Sequence, residues 1–265
     1  MKQDEQIRRT RPAVWIAFAL AGAVSGLGTT SAIAGSAKGL PPQASGELVL
    51  AAATATQATT GDEIVDLLIA LGSIDARLQA GMTLYQYKDR KGAIEHFRIA
   101  RKDVYTPMAP QLQAKNLPAF DEGIRALEMA SSPGQVAGAY LNVVRGLAMA
   151  RSGLAPSPKQ IMAAVEMQTS LAAQSLGKGL KEGQVKNMVH YQNAWGQILS
   201  ARAVVSTLET SKDPAVKPAV TAAASALDDL IIAMPDPVPE GPIDATEEMA
   251  VAAAAQIKTA AAALQ

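Results

Sequence analysis

Apolar residues recur at intervals of three and four along most of the chain, the spacing that lines up one face of an α-helix. The first clear run follows Thr60-Gly61-Asp62-Glu63, which reads as a capping box, and places Ile64, Leu67, Leu68, Leu71, Ile74 and Leu78 on one side. It predicts a helix to about Tyr87. A second helix, from about Arg90 to Lys102, sets Ala93, Phe97 and Ala100 on one face after the break at Lys88-Asp89-Arg90, so the two form a hairpin. Ser132-Pro133-Gly134-Gln135 and Ser157-Pro158-Lys159-Gln160 each combine a serine cap, proline at the first helical position and glutamine three residues after the serine. These predict helices stopped near Gly153 and Gly177, packed as an antiparallel pair.

The segment from about Glu182 to Leu208 reads as the longest helix, and another starts at Asp213-Pro214 and ends by Met234-Pro235. Four prolines between Pro235 and Pro242 predict an extended, stiff connection. A last alanine-rich helix, about 244–265, carries Glu247 and Glu248 in its first turn, where the helix dipole favours them. No segment competes as a run of strands. The expected fold class is all-α, antiparallel helical hairpins forming a bundle or a short tetratricopeptide-like array, with a helical domain at 62–234, a proline-rich linker at 235–243 and the C-terminal helix.

The start of the chain has another pattern. Lys2, Arg8, Arg9 and Arg11 precede an uncharged apolar run from Ala13 to Leu27 and small residues ending at Ala32-Ile33-Ala34. That order, positive then apolar then cleavable, predicts a signal peptide at 1–34, a flexible leader at 35–61 and a mature protein beginning near Gly35, exported to the periplasm or secreted. The apolar run is shorter than the roughly 20 residues of a membrane-spanning helix. Thr10-Arg11-Pro12 follows the arginine pair where a twin-arginine signal carries an apolar residue, so general secretion is the expected route.

Composition narrows the chemistry. Basic and acidic residues number 24 each, and the mature part stays near neutral, so no long-range field draws in nucleic acid. There is no cysteine, which removes disulfides, thiolate metal sites and thiol nucleophiles. Ser175-Leu176-Gly177-Lys178 has the spacing of a lysine-activated serine, but the accompanying motifs are absent. No catalytic or cofactor signature is complete, so the chain is read as a non-enzyme without an expected cofactor. The methionines, Met82, Met149, Met162, Met167 and Met188 among them, read as core filling.

The most suggestive chemistry lies in His190-Tyr191-Gln192-Asn193-Ala194-Trp195. On a helix, Lys186, His190, Asn193, Gln197 and Ser200 share one face and Met188, Tyr191, Trp195 and Leu199 the other. Either the polar stripe is solvated and the aromatic one is core, or the polar stripe lies inside a groove where His190, Asn193 and Gln197 orient a polar ligand. Tyr85, Phe97, Tyr105, Tyr191 and Trp195 are the candidate apolar walls of that groove. His96 reads as a partly buried residue at the edge of the Ala93, Phe97, Ala100 face.

Gly81, Leu84, Ala93, Phe97 and Ala100 give residues 78–104 the small and large packing positions of a helical hairpin that resembles one tetratricopeptide unit, with Tyr105 where that family usually has proline. More widely, Gly81 to Phe120, with Ala93, His96, Tyr105, Leu112 and Phe120, and the later His190 to Ala194 resemble an uncharacterised family of exported bacterial all-helical proteins, although Met82 stands where that family carries a second histidine. The resemblance implies an envelope location and a helical fold. The expected function is a binding or scaffolding protein of the cell envelope, its partner a protein or small molecule. A helical-bundle metal or haem protein using His96 or His190, and an envelope enzyme with a scattered site, are the alternatives.

Overall fold

The computed structural model describes residues 60–264; the expected signal peptide and the leader up to residue 59 lie outside them. The described chain is an all-α helical bundle. It comprises α1 (Glu63–Gln86), α2 (Arg90–Ile99), a π-helical turn (Ala100–Tyr105), α3 (Thr106–Ala114), α4 (Asp121–Met129), α5 (Pro133–Gly153), α6 (Pro158–Gly179), α7 (Met188–Leu208), α8 (Val216–Ala233) and α9 (Glu247–Ala261).

Local signals place most helix starts. Both serine-proline capping boxes form: Ser132 and Ser157 accept from the N–H of Gln135 and Gln160, whose side chains accept in return. The α1 cap is Asp62 rather than Thr60. Its carboxylate accepts from Ile64 N at 2.9 Å and Val65 N at 3.3 Å, while its other oxygen takes the Gln160 side chain at 2.9 Å, tying the starts of α1 and α6 together. Thr60 instead bonds Asp66.

Three expectations are corrected by the structure. The second helix continues past Lys102 because the π-turn shifts the hydrogen-bond register: Thr106 N–H donates to Arg101 O, five residues back. That step brings Pro107 to the first turn of α3, where a missing N–H costs little, and the helix also carries Pro110. Second, Glu182 is not helical. Glu182 and Gly183 adopt φ of 53° and 72° and turn a two-residue hairpin in which β1 (Leu180–Lys181) pairs antiparallel with β2 (Gln184–Val185), Leu180 opposite Val185. α7 therefore starts at Met188, and α1, at 24 residues, is longer. Third, α5 and α6 do not pack as a pair. α5 lays Val136, Ala139, Val143 and Leu147 chiefly against α4, while α6 packs along α7 and α9.

Two apolar cores result. The first gathers side chains such as Leu71, Leu78, Phe97, Met108, Ile124 and Leu147 from α1 through α5. The second gathers Val165, Leu176, Tyr191, Ile198, Val220, Leu227 and Ile257 from α6 through α9. Each fully buried Leu, Ile or Val contributes roughly 1.5–3 kcal/mol. The C-terminal helix belongs to this second core through Ala250, Ala253 and Ile257. Met149 departs from the core-filling reading and is 54% exposed.

α1 is buried around most of its circumference, with α2, α6 and α7 packed on it. Close approach requires missing side chains. A Cβ on Gly196 of α7 would collide with the Ala76 carbonyl, and one on Gly81 with the Phe97 ring. Gly138 on α5, by contrast, faces open space. The same substitution therefore has opposite signs at two places. Gly196→Ala should destabilise the protein by about 1–3 kcal/mol, because the backbone it meets cannot yield. Gly138→Ala should stabilise it by about 0.5–1 kcal/mol through helix propensity. Urea unfolding of the two variants measures both.

Candidate functional site

Burying α1 on several sides brings its polar residues inside. Asp75 and Arg77 interrupt an apolar run and are 9% and 7% exposed. Other buried polar side chains lie on the neighbouring helices: His96 on α2, Gln168, Thr169 and Ser175 on α6, and Gln192, Asn193, Gln197 and Ser200 on α7. A buried polar group without a partner costs about 1–3 kcal/mol, and most of these side chains are answered within the fold.

Asp75 is answered twice. Ser200 Oγ donates to its Oδ2 at 2.9 Å, and Arg151 of α5 donates to the same oxygen at 3.1 Å. Asn193 Nδ2 donates to Ser175 Oγ at 3.0 Å. Arg77 begins a longer chain. Its Nη1 donates to His96 Nδ1 at 3.4 Å, and since arginine only donates, that nitrogen is the acceptor. The ring proton then sits on Nε2, 3.0 Å from Gln192 Oε1, and Gln192 Nε2 donates to the Pro237 carbonyl at 3.3 Å. Every link runs in one direction, from α1 through α2 and α7 to the proline segment.

That segment, 235–242, is strapped down by the same helix. Tyr191 OH donates to the Asp236 carbonyl at 2.7 Å, beside the Gln192 bond. The Asp236 carboxylate accepts from Tyr87 OH at 2.8 Å and from Val238 N at 2.8 Å. Burial, with the Asp236 charge adding to it, pushes the Tyr191 hydroxyl well above its usual pKa, so it stays a donor. At the far end, Ile243 N–H bonds Gly183 O in the hairpin turn at 2.9 Å.

The sequence-derived candidates divide between different places. His96, expected at an edge, is 1% exposed and central to the chain. Of the predicted stripe, Asn193, Gln197 and Ser200 are buried rather than solvated, His190 is half-buried, and Lys186 is exposed ahead of α7. Gln197 Oε1 and Gln168 Nε2 are fully enclosed without a partner among the described residues. Tyr191 is buried in the second core and Trp195 packs against it. Tyr105 is elsewhere: in the first core it meets Phe120 edge-on at 4.7 Å, and its hydroxyl accepts from Phe120 N. Tyr85 and Phe97 also belong to the first core, so the five aromatic residues do not line one groove. An open groove of about 850 Å³ runs between α8 and α9, lined by Ala219, Ala222, Ala255 and Thr259 among others, and shares no residue with the polar chain.

Arg77, Gln192 and Pro237 complete the site and were not singled out by spacing. The available signal was a charge inside the apolar run from Leu71 to Leu84. Both nitrogens of His96 are engaged, which leaves no lone pair free for a metal, and no three His, Asp or Glu side chains converge on a metal position among the described residues. Ser175 bonds Asn193 rather than the exposed Lys178.

Electrostatics match the bonding. Burial first, then the Arg77 charge, push His96 from 6.5 down to about 3, against the opposing pull of Gln192. Between those values the unfolded chain carries a proton that the folded one excludes. The stabilisation is complete above about pH 6.5 and is lost as pH falls toward 3, by up to about 1.4 kcal/mol per pH unit. His190 is also pushed down, by partial burial and then the charges of Lys178 and Arg77. Unfolding free energies of wild type, His96→Gln and His190→Gln between pH 4.5 and 6.5 separate the two. His96→Gln should be less stable at neutral pH yet lose most of the slope; an unchanged slope would show that His96 is not held neutral.

Comparison of the chain with protein-family models, with curated proteins and with solved structures finds no match, and the function is therefore read from this site.

Proposed function

We propose that this is an exported binding protein of the bacterial cell envelope, holding a small polar ligand where Arg77, His96 and Gln192 meet beneath the proline strap. The observation that carries the reading is the directed hydrogen-bond chain itself. It commits a buried arginine and a neutral histidine to one place, at the junction of three helices and a strap, without assembling a nucleophile, base or metal set there. Recognition needs such a group: the chain fixes the Arg77 guanidinium on a rigid scaffold with N–H groups to spare, inside low-dielectric surroundings that strengthen each polar contact. The signal-like start supports the location, since positively charged, apolar and small-residue segments follow one another in the order that export machinery reads.

Native mass spectrometry of the untagged protein recovered from the cell-envelope fraction tests both parts. The expected species is a chain beginning near Gly35 with additional bound mass of small-molecule size, which Gln192→Leu weakens. Recovery of the chain with residues 1–34 intact in the cytoplasmic fraction would remove the export reading. A bare chain, with no ligand retained at any gentle ionisation condition, would remove the binding reading.

A further inference from the structure

Elsewhere in this fold, arginines hold carboxylates by one edge. Arg101 grips Glu128 through Nε and Nη2, and Arg98 with Glu95 and Arg125 with Glu122 use the same two nitrogens. Arg77 has that edge open. Its Nη1 is engaged by His96, and no carboxylate lies within ion-pair distance of it among the described residues. A guanidinium that is 7% exposed and lacks a counter-charge is costly to keep. The acids that act on it do so from farther away: Glu95 is held by Arg98, and Asp103 is exposed.

The only fully enclosed side-chain nitrogen or oxygen atoms without partners among the described residues are Gln168 Nε2 and Gln197 Oε1. Nε and Nη2 of Arg77 are absent from that set, and the residue as a whole is 7% exposed. The two N–H bonds of that edge suit a planar acceptor with two oxygens.

We propose that the Nε/Nη2 edge of Arg77, whose Nη1 is held by His96, is a binding site for the carboxylate group of a small ligand. This rests on the binding reading above and gives the chemical class of what is bound. The carboxylate takes the place that Glu128 takes on Arg101 and supplies the missing counter-charge.

The test is the Nε–H resonance of Arg77 in the full-length mature protein, titrated with acetate while chloride holds ionic strength constant. A saturable shift is expected, with no shift at Arg98, whose edge is already filled. Arg77→Lys keeps the charge and loses the fork, and should weaken acetate binding by about tenfold or more. An Arg77 resonance that does not move, or that moves equally with chloride, would overturn the site. So would a response to inorganic phosphate and none to acetate, which would mean another class of anion. The wild-type titration needs no variant to fold. It also separates the two readings. A bare envelope protein that still titrates with acetate loses the proposed function but keeps the site, whereas a ligand retained undiminished in Arg77→Lys keeps the function and removes the site.

Discussion

The structure depends on the burial of α1. A helix surrounded by α2, α6 and α7 has almost no face left for water, so each polar residue on it must be met by a neighbour. Asp75 is met by a serine and an arginine contributed by α7 and α5, and Arg77 by a histidine whose own proton must be passed on. The partners come from far along the chain: Asp75 to Ser200 spans 125 residues and His96 to Gln192 spans 96. Local helix formation explains neither. The polar residues of one central helix specify which distant helices must come to it and in what register, a selectivity that apolar packing alone gives less sharply.

α7 has the complementary role. It sits against α1 and α6, with Gly196 against the Ala76 carbonyl, and it contributes to both kinds of interior. Tyr191 and Ile198 enter the second apolar core, whereas Gln192, Asn193, Gln197 and Ser200 face the polar interior between helices. The closeness that Gly196 permits shortens the distance over which Ser200 must reach Asp75. Backbone contact and polar satisfaction are thus two results of the same crossing.

This explains what could be read from the sequence. Helix starts at Pro133 and Pro158 depend on four adjacent residues, and those residues suffice. The position of His190, Asn193, Gln197 and Ser200 on one face was also legible, because helical spacing is local. What that face meets was not, since amphipathicity separates two faces without naming the environment of either, and here both are largely buried. The helix through Lys102 continued because a π-turn made room for Pro107, an accommodation that no propensity encodes. Arg77 was overlooked for a related reason. Its meaning lies in the absence of a nearby acid, a property of the folded neighbourhood.

The strap carries a consequence for the timing of folding. Gln192 and Tyr191 have their acceptors at Pro237 and Asp236, 45 residues later, and Tyr87 waits 149 residues for the Asp236 carboxylate. A chain made from its N-terminus, or threaded in that direction through a pore, reaches residue 208 with these donors still bonded to water. The early helices can form while their polar contacts stay open, and closure is deferred until the last fifth of the polypeptide arrives. Such a chain remains pliable during synthesis and locks only on completion.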